Sequence, residues 1–235
     1  MSARPQPVVI PPRVVRSHTT PTTEAEAVAI QRRLRSLAVY DSSGPGPGEP
    51  GTVVGVDVAY DDARNLVAAA AVALHAITLE VVERATAVGP VAFPCVPGLL
   101  AFRELPAVLD ALGRLRRAPD LVVCDGYGLA HPRLPQTSSG RCPQPTIGVA
   151  KNPFTFAHTQ PPPHRGAFTP LLDGDEEVGR ALRTRDGVKP VYVSPGHRTT
   201  LDDACAHTLH LTRGVRLPET TRAADRLCRE ALAAA

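Results

Sequence analysis

No Cys-x-x-Cys pair occurs in the 235 residues; the five cysteines stand at 95, 124, 142, 205 and 228, odd in number and widely scattered. That spacing excludes a zinc knuckle and a disulfide framework, and it fits a reducing cytoplasm. Also lacking is any apolar stretch approaching the roughly 18 charge-free residues of a membrane-spanning helix. No apolar block follows the basic N-terminal residues as it would in a secretion signal. No internal repeat is present. A cytoplasmic protein without membrane contact is expected.

A large excess of charge is missing too. The net charge of +3 and pI of about 8.7 permit contact with a polyanion but do not establish it. Hydrophobic residues make up 43% and charged residues 21%, near globular averages. The length suffices for one full core, so residues 23–235 are expected to form one domain, acting as a monomer. Residues 1–22 differ, with Arg4, Arg13, Arg16, five prolines and no acid. Such a segment cannot bury enough apolar surface to offset ordering, which predicts a flexible basic arm.

Thr23-x-x-Glu26 forms a capping box ahead of Ala27, Ile30, Leu34 and Leu37 at helical spacing, so a first helix is predicted to run to about Leu37. The Gly/Pro-rich stretch from Ser42 to Pro50 breaks the chain. Three strand-like runs follow, Val53 to Tyr60, Leu66 to Leu74 and Ile77 to Val88, and read as an antiparallel meander. After Pro97-Gly98 the pattern is helical to about Leu115, with Pro106 placed at a first helical position, where its missing N–H costs nothing. Leu121 to Cys124 reads as a strand buried on both faces. Further strands are expected at Thr146 to Ala150 and Val191 to Ser194, and helices at Leu201 to Leu211 and Glu219 to Ala233. Thr159 to Pro170 reads as a proline-rich surface loop. The sum is an α/β fold, a mixed sheet of antiparallel meander plus parallel strands flanked by helices.

Against that frame two acids stand out. Asp57 sits inside Val-Val-Gly-Val-Asp-Val-Ala-Tyr, where an uncompensated carboxylate costs several kcal/mol. Alternation places Gly55, Asp57 and Ala59 on one face, where small neighbours leave room for a hydrated ion or a ligand. A structural ion pair with an arginine explains Asp57 as well. Asp125 ends the second apolar run, beside Gly126 and Gly128, which let the backbone approach a ligand; alone, Asp-Gly is also a common turn. Together the two point to one metal site. Oxygen ligands without clustered His or Cys favour magnesium or manganese, which suit phosphodiester hydrolysis. Glu104 and Asp225 are candidates to complete it, though Asp61, Asp62, Asp173, Asp175, Asp202 and Asp203 are equally available by spacing. Lys151, after a strand, suits a phosphate; it is also an ordinary strand-end lysine. His131 and His197 suit water or phosphate, or purely structural bonds. The arginines at 213, 216, 222, 226 and 229 read mainly as a solvated helix face.

Val-Pro-Gly-Leu-Leu-Ala-Phe-Arg-Glu (96–104), Asp-Gly-Tyr-Gly-Leu-Ala-His-Pro-Arg (125–133) and Pro-Thr-Ile-Gly-Val-Ala-Lys (145–151) belong together. With residues 183–198 and 216–225, they resemble the endonuclease V family in unbroken order from about residue 24 to the C-terminus. The resemblance implies a ribonuclease H-like fold and a magnesium-dependent enzyme that nicks DNA on the 3′ side of deoxyinosine, one nucleotide beyond it; some relatives cut RNA at inosine. It selects Asp57, Glu104, Asp125 and Asp225 as the acidic metal set and places Lys151 and His131 near the scissile phosphate. It also implies a glycine-lined base pocket at Gly98, Gly126 and Gly128.

The chain departs from the family pattern at its recognition elements. Pro94-Cys95-Val96-Pro97 replaces a wedge that usually carries a tyrosine, and cysteine cannot stack in the gap left by a flipped base. Losing roughly 1 to 3 kcal/mol of base stacking weakens binding by about 5- to 150-fold. Residues 134–144 replace a segment that usually holds a histidine, and Tyr127 replaces another. Two alternatives therefore accompany the DNA nuclease: an endoribonuclease directed at inosine, and a nucleic-acid-binding relative that no longer cleaves.

Overall fold

The computed structural model describes residues 20–35, 37–49, 51–128, 144–153 and 155–235. Most of the arm expected over residues 1–22, and His131 with nearly all of the 134–144 segment, lie outside the described residues. The first helix, α1 (Glu24–Arg35), stops two residues short of the predicted Leu37. Its capping is shared: the Thr23 hydroxyl accepts the Glu26 N–H at 3.2 Å, while the Glu26 carboxylate accepts the Thr22 N–H at 2.8 Å.

The predicted meander is present as β1 (Thr52–Asp61), β2 (Leu66–His75) and β3 (Val81–Pro90), each antiparallel to the next. Strands β4 (Leu121–Cys124) and β5 (Thr146–Ala150) add in parallel on the other side of β1. β8 (Val191–Pro195) turns the sheet antiparallel again and leads to a hairpin of β6 (Phe168–Asp173) and β7 (Glu176–Leu182). The sheet order is β3-β2-β1-β4-β5-β8-β7-β6, an eight-stranded mixed sheet of the ribonuclease H-like kind.

The β6–β7 hairpin corrects the loop reading of Thr159 to Pro170, whose end lies in β6. Pro170 and the exposed acids hide these strands, but β6 is a sheet edge, where proline is tolerated. The turn signal was readable: Gly174, at φ 61°, opens the two-residue connection between Asp173 and Glu176, as a primed hairpin turn requires.

Helix α2 (Leu100–Gly113) covers one face, packing Ala107, Ala111 and Leu112 on Val54, Val56 and the alanines of β2. Pro106 lies inside this helix, not at its first position. Burial of Phe102, Leu105, Ala107, Ala111 and Leu112 carries the helix through it. Helices α3 (Leu201–His210) and α4 (Glu219–Ala233) cover the opposite face, α3 on Leu121, Val123, Ile147 and Val193, α4 on Ala70, Val72 and Leu74. The fully buried Ala68–Ala71 run of β2 lets helices approach from both sides.

The small residues flanking Asp57 serve this approach. A Cβ on Gly55 would meet the Thr220 backbone of α4 at 2.3 Å, and Ala59 packs with Ala70, Ala224 and Cys228. The expectation that they leave space for a ligand is corrected: they admit a helix. Gly55→Ala is expected to lower stability by about 1 to 3 kcal/mol through overpacking, which thermal unfolding reads as a drop of several degrees.

Candidate active site

β1 pairs with β4 only as far as Val56 and Cys124, the last residue of β4, yet β1 itself runs on to Asp61. Beyond that register the sheet is open on one side, and Asp57 and Asp125 are the next residues of the two strands. Both faces of the sheet are reachable through this gap. Glu104 enters from α2 and Asp225 from α4, and all four acids line one cleft of about 450 Å³. Gly126, Tyr127 and Lys151 line it as well.

Three carboxylates gather around one amine. Lys151 Nζ lies 2.6 Å from Asp125 Oδ2, 3.5 Å from Asp225 Oδ1 and 3.7 Å from Asp57 Oδ2. The expected cationic partner of Asp57 is therefore a lysine, not an arginine. Burial pulls the ammonium's pKa down, but the Asp125 hydrogen bond and the surrounding negative charge outweigh it and hold the group above its ordinary value. Arg229 adds a 3.0 Å bond to Asp225 Oδ1. Burial alone would raise the Asp225 carboxyl; the Arg229 bond and the Lys151 charge hold it below the usual range.

Asp57 is the least compensated of these groups. Oδ1 accepts the Val58 N–H at 2.8 Å, whereas Oδ2 is buried and accepts no hydrogen bond. Burial first, then the Asp125 charge, push its carboxyl up to about 7 despite Lys151. Glu104 is held differently: the Tyr60 hydroxyl donates to its Oε1 at 2.9 Å, and the Arg103 guanidinium lies over the Tyr60 ring at 4.5 Å. Burial raises the Glu104 carboxyl, and Tyr60 opposes it. The sequence pattern does not single out Tyr60, which closes the strand run that holds Asp57.

Arg216, which by sequence reads as part of a solvated helix face, has a different place in the structure. It precedes α4, and its guanidinium donates to the carbonyls of Lys151, Lys189 and Pro190, the last at 2.8 Å. It thereby fixes the backbone that presents Lys151. Arg213 likewise bonds the carbonyls of Ile77 and Thr78. A sequence pattern cannot separate these clamps from solvated arginines, because their acceptors are main-chain oxygens of distant segments.

Of the other predicted residues, Gly126 and Tyr127 line the cleft and the rest that are described lie apart from it. Pro94, Cys95 and Pro97 are exposed on the loop before α2, and Val96 is half-buried beside the core of Phe93, Leu99 and Phe102. Gly98, at φ 83°, is buried with its carbonyl accepting from Gln31 of α1 at 2.8 Å. Gly128 is required by packing: a Cβ there would meet the Pro195 carbonyl oxygen at 2.3 Å. Gly126, with open space where a Cβ would be, does face the cleft. Tyr127 donates its hydroxyl to the Asn152 carbonyl, and burial pushes its phenol up to about 12. His197 accepts the Val39 N–H at 3.2 Å, a structural contact. None of the four described cysteines is in a disulfide.

A mixed sheet whose central parallel strands carry a carboxylate each just beyond their last pairing, with a further acid brought in from each face, defines a nuclease of ribonuclease H-like architecture. The Endonuclease V family model matches residues 41–226, and the chain belongs to that family. Endonuclease V of Streptomyces coelicolor is 64% identical over 215 residues, covering 90% of this chain and 92% of its own. The crystal structure of the Streptomyces avermitilis enzyme superposes with a TM-score of 0.87 at 60% identity, covering 91% of this chain and 94% of that one. Endonuclease V of Ciona intestinalis, solved with a 24mer DNA containing an inosine followed by a ribo-adenosine, shares the fold at 23% identity and a TM-score of 0.75, over 89% and 97% of the two chains. Nucleases of this family are metal-dependent.

Proposed function

We propose that this protein nicks DNA on the 3′ side of deoxyinosine, one nucleotide beyond it, by phosphodiester hydrolysis with magnesium, or manganese in its place. The observation that carries this is the gathering of Asp57, Asp125 and Asp225 around one cationic position in a cleft that Glu104 also lines. As they stand, with Lys151 among them, no three such groups among the described residues form a ready metal cage. The donor set nevertheless fits a hard cation: all are carboxylate oxygens, and the buried Asp57 Oδ2 lacks any hydrogen-bond partner. Asp57 and Asp125 are the primary ligands in this reading, with Glu104 and Asp225 completing the set. Held by these carboxylates, a divalent cation would supply activation of water and stabilisation of the leaving oxygen.

The chain's own groups supply the rest. Tyr60 orients Glu104 through its hydroxyl. The Lys151 ammonium, held on its backbone by Arg216, is available as a point charge for a phosphate oxygen. His131 belongs to this reading through the family motif alone. The single continuous sheet supports treating residues 23–235 as one catalytic domain; no described helix is long and apolar enough to cross a membrane.

A labelled oligonucleotide with a single deoxyinosine tests the assignment, against adenine-containing DNA and the matching inosine RNA. Magnesium-dependent product on the deoxyinosine strand is expected. Inosine-dependent binding without any product at high enzyme concentration would overturn it in favour of a non-cleaving relative, and preferential RNA cleavage in favour of the ribonuclease. Cys95 bears on the same assay. It is exposed at the wedge position, so Cys95→Tyr is expected to tighten binding of the deoxyinosine strand by about 5- to 150-fold, the worth of one stacked base. Equal affinity of the two proteins would remove the wedge from the recognition surface.

A further inference from the structure

The acid-lined cleft shares a wall with a second one. Lys151 and Asp225 line both; Leu217, Thr221, Arg222 and Arg226 complete the second, which measures about 390 Å³. The two differ in charge. The first sets four carboxylates against Lys151 and Arg229, whereas the second sets Lys151, Arg222 and Arg226 against Asp225 alone.

The arginines of α4 are not equivalent. Arg229 is bound to Asp225 at 3.0 Å, and Arg222 to Glu219 at 2.8 and 2.9 Å. Arg226 is exposed and has no hydrogen-bond or ion-pair partner among the described residues. It stands one turn beyond Arg222, about 6 Å along the helix axis, and opens on the same hollow. A nucleic-acid strand with one phosphate at the carboxylates must carry its neighbouring phosphate past the cleft wall. On the side of α4 it meets Arg226, whose charge has no partner among the described residues.

We propose that this second cleft is a subsite for the nucleic-acid phosphate adjacent to the one that is cleaved, with Arg226 as its principal ligand and Arg222 beside it. The proposal rests on the nuclease reading above and extends it to the path of the strand. Its physical basis is charge complementarity with continuity to the acid site. Contacts of this kind fix the register of a strand without reading its bases.

The test measures binding of the full chain to a labelled deoxyinosine oligonucleotide by fluorescence anisotropy between 50 and 200 mM salt, a range in which phosphate contacts dominate the salt dependence. Arg226→Ala is expected to weaken binding and to reduce the slope of log affinity against log salt by about 0.7 to 0.9, one phosphate contact. Arg226→Lys is expected to restore that slope with incomplete recovery of affinity, since it keeps the charge and loses the planar fork. Arg185→Ala, at an exposed site lining neither cleft, is expected to keep the wild-type slope. Neutral methylphosphonate linkages beside the scissile phosphate locate the contact: one position should weaken the wild type and leave Arg226→Ala unaffected. An unchanged slope in a folded Arg226→Ala protein, or equal sensitivity of both proteins to every neutral linkage, overturns the proposal. The same measurements on an oligonucleotide without inosine keep the questions apart, because failure of base selectivity there contradicts the substrate reading while the slope comparison still stands.

Discussion

Asp57→Asn is expected to lower the rate of nicking by roughly 10³-fold or more, the scale of several kcal/mol of lost transition-state stabilisation, while making the metal-free protein more stable. The two effects have one origin. Asp57 is buried, lies beside the Asp125 charge and has one oxygen without a hydrogen-bond partner, so its carboxyl is pushed up to about 7. In the unfolded chain the same group titrates near the ordinary aspartate value of about 3.9. Between these values the unfolded chain has released its proton and the folded one retains it, so folding stability falls as pH rises through this window and levels off above about 7. At pH 8 the folded protein therefore bears the full cost of the buried charge. Asparagine carries no charge to desolvate, so chemical denaturation in a chelator should show a gain for the variant at pH 8 and little difference at pH 4. Magnesium should narrow the gap at high pH by stabilising the wild type. Parallel stability profiles for the two proteins, or retained nicking by the variant, would refute this account of the residue.

Lys151→Met is expected to separate metal affinity from catalysis. The ammonium lies within 3.7 Å of three carboxylates and holds the place that suits a positive charge. Its removal leaves Asp57, Asp125 and Asp225 facing one another with only Arg229 nearby, at Asp225. The metal-free variant should be less stable than wild type, modestly so because Lys151 is one-third exposed and solvent screens the loss. Calorimetric uptake of magnesium or manganese should tighten by roughly tenfold or more, about 1.4 kcal/mol or above, since no ammonium competes for the carboxylates. Nicking should nevertheless fall by about 10² to 10³, the usual loss when a positive group aimed at a reacting oxyanion is removed. Weaker metal uptake in the variant would show that Lys151 assists the ion's seat instead of competing for it.

Much of the architecture followed from local pattern. The meander is legible because apolar runs rich in valine and alanine are separated by short connections, and β4 because a charge-free run of four is bounded by breakers. Asp57 and Asp125 stand out for the same reason, each being an acid at an apolar strand. Where pattern misled, competing physics can be named. Pro106 fits a helix start by propensity, but burial of the residues around it keeps it in a helix interior. The β6 strand is too polar to read as a strand because its edge position lets it face water.

The primary structure alone determined the order of the strands and helices apart from the β6–β7 hairpin, and marked two acids as costly to bury, because both depend on neighbours close in the chain. Pattern left Glu104 and Asp225 among many acids and only the family resemblance selected them; tertiary structure decided that they share their cleft, that Lys151 is the cation among them, and that Arg216 grips the backbone behind it. Those relations arise from two helices packed on opposite faces of one sheet, one of them admitted by the missing side chain of Gly55. Residue spacing along the chain carries no information about such distances.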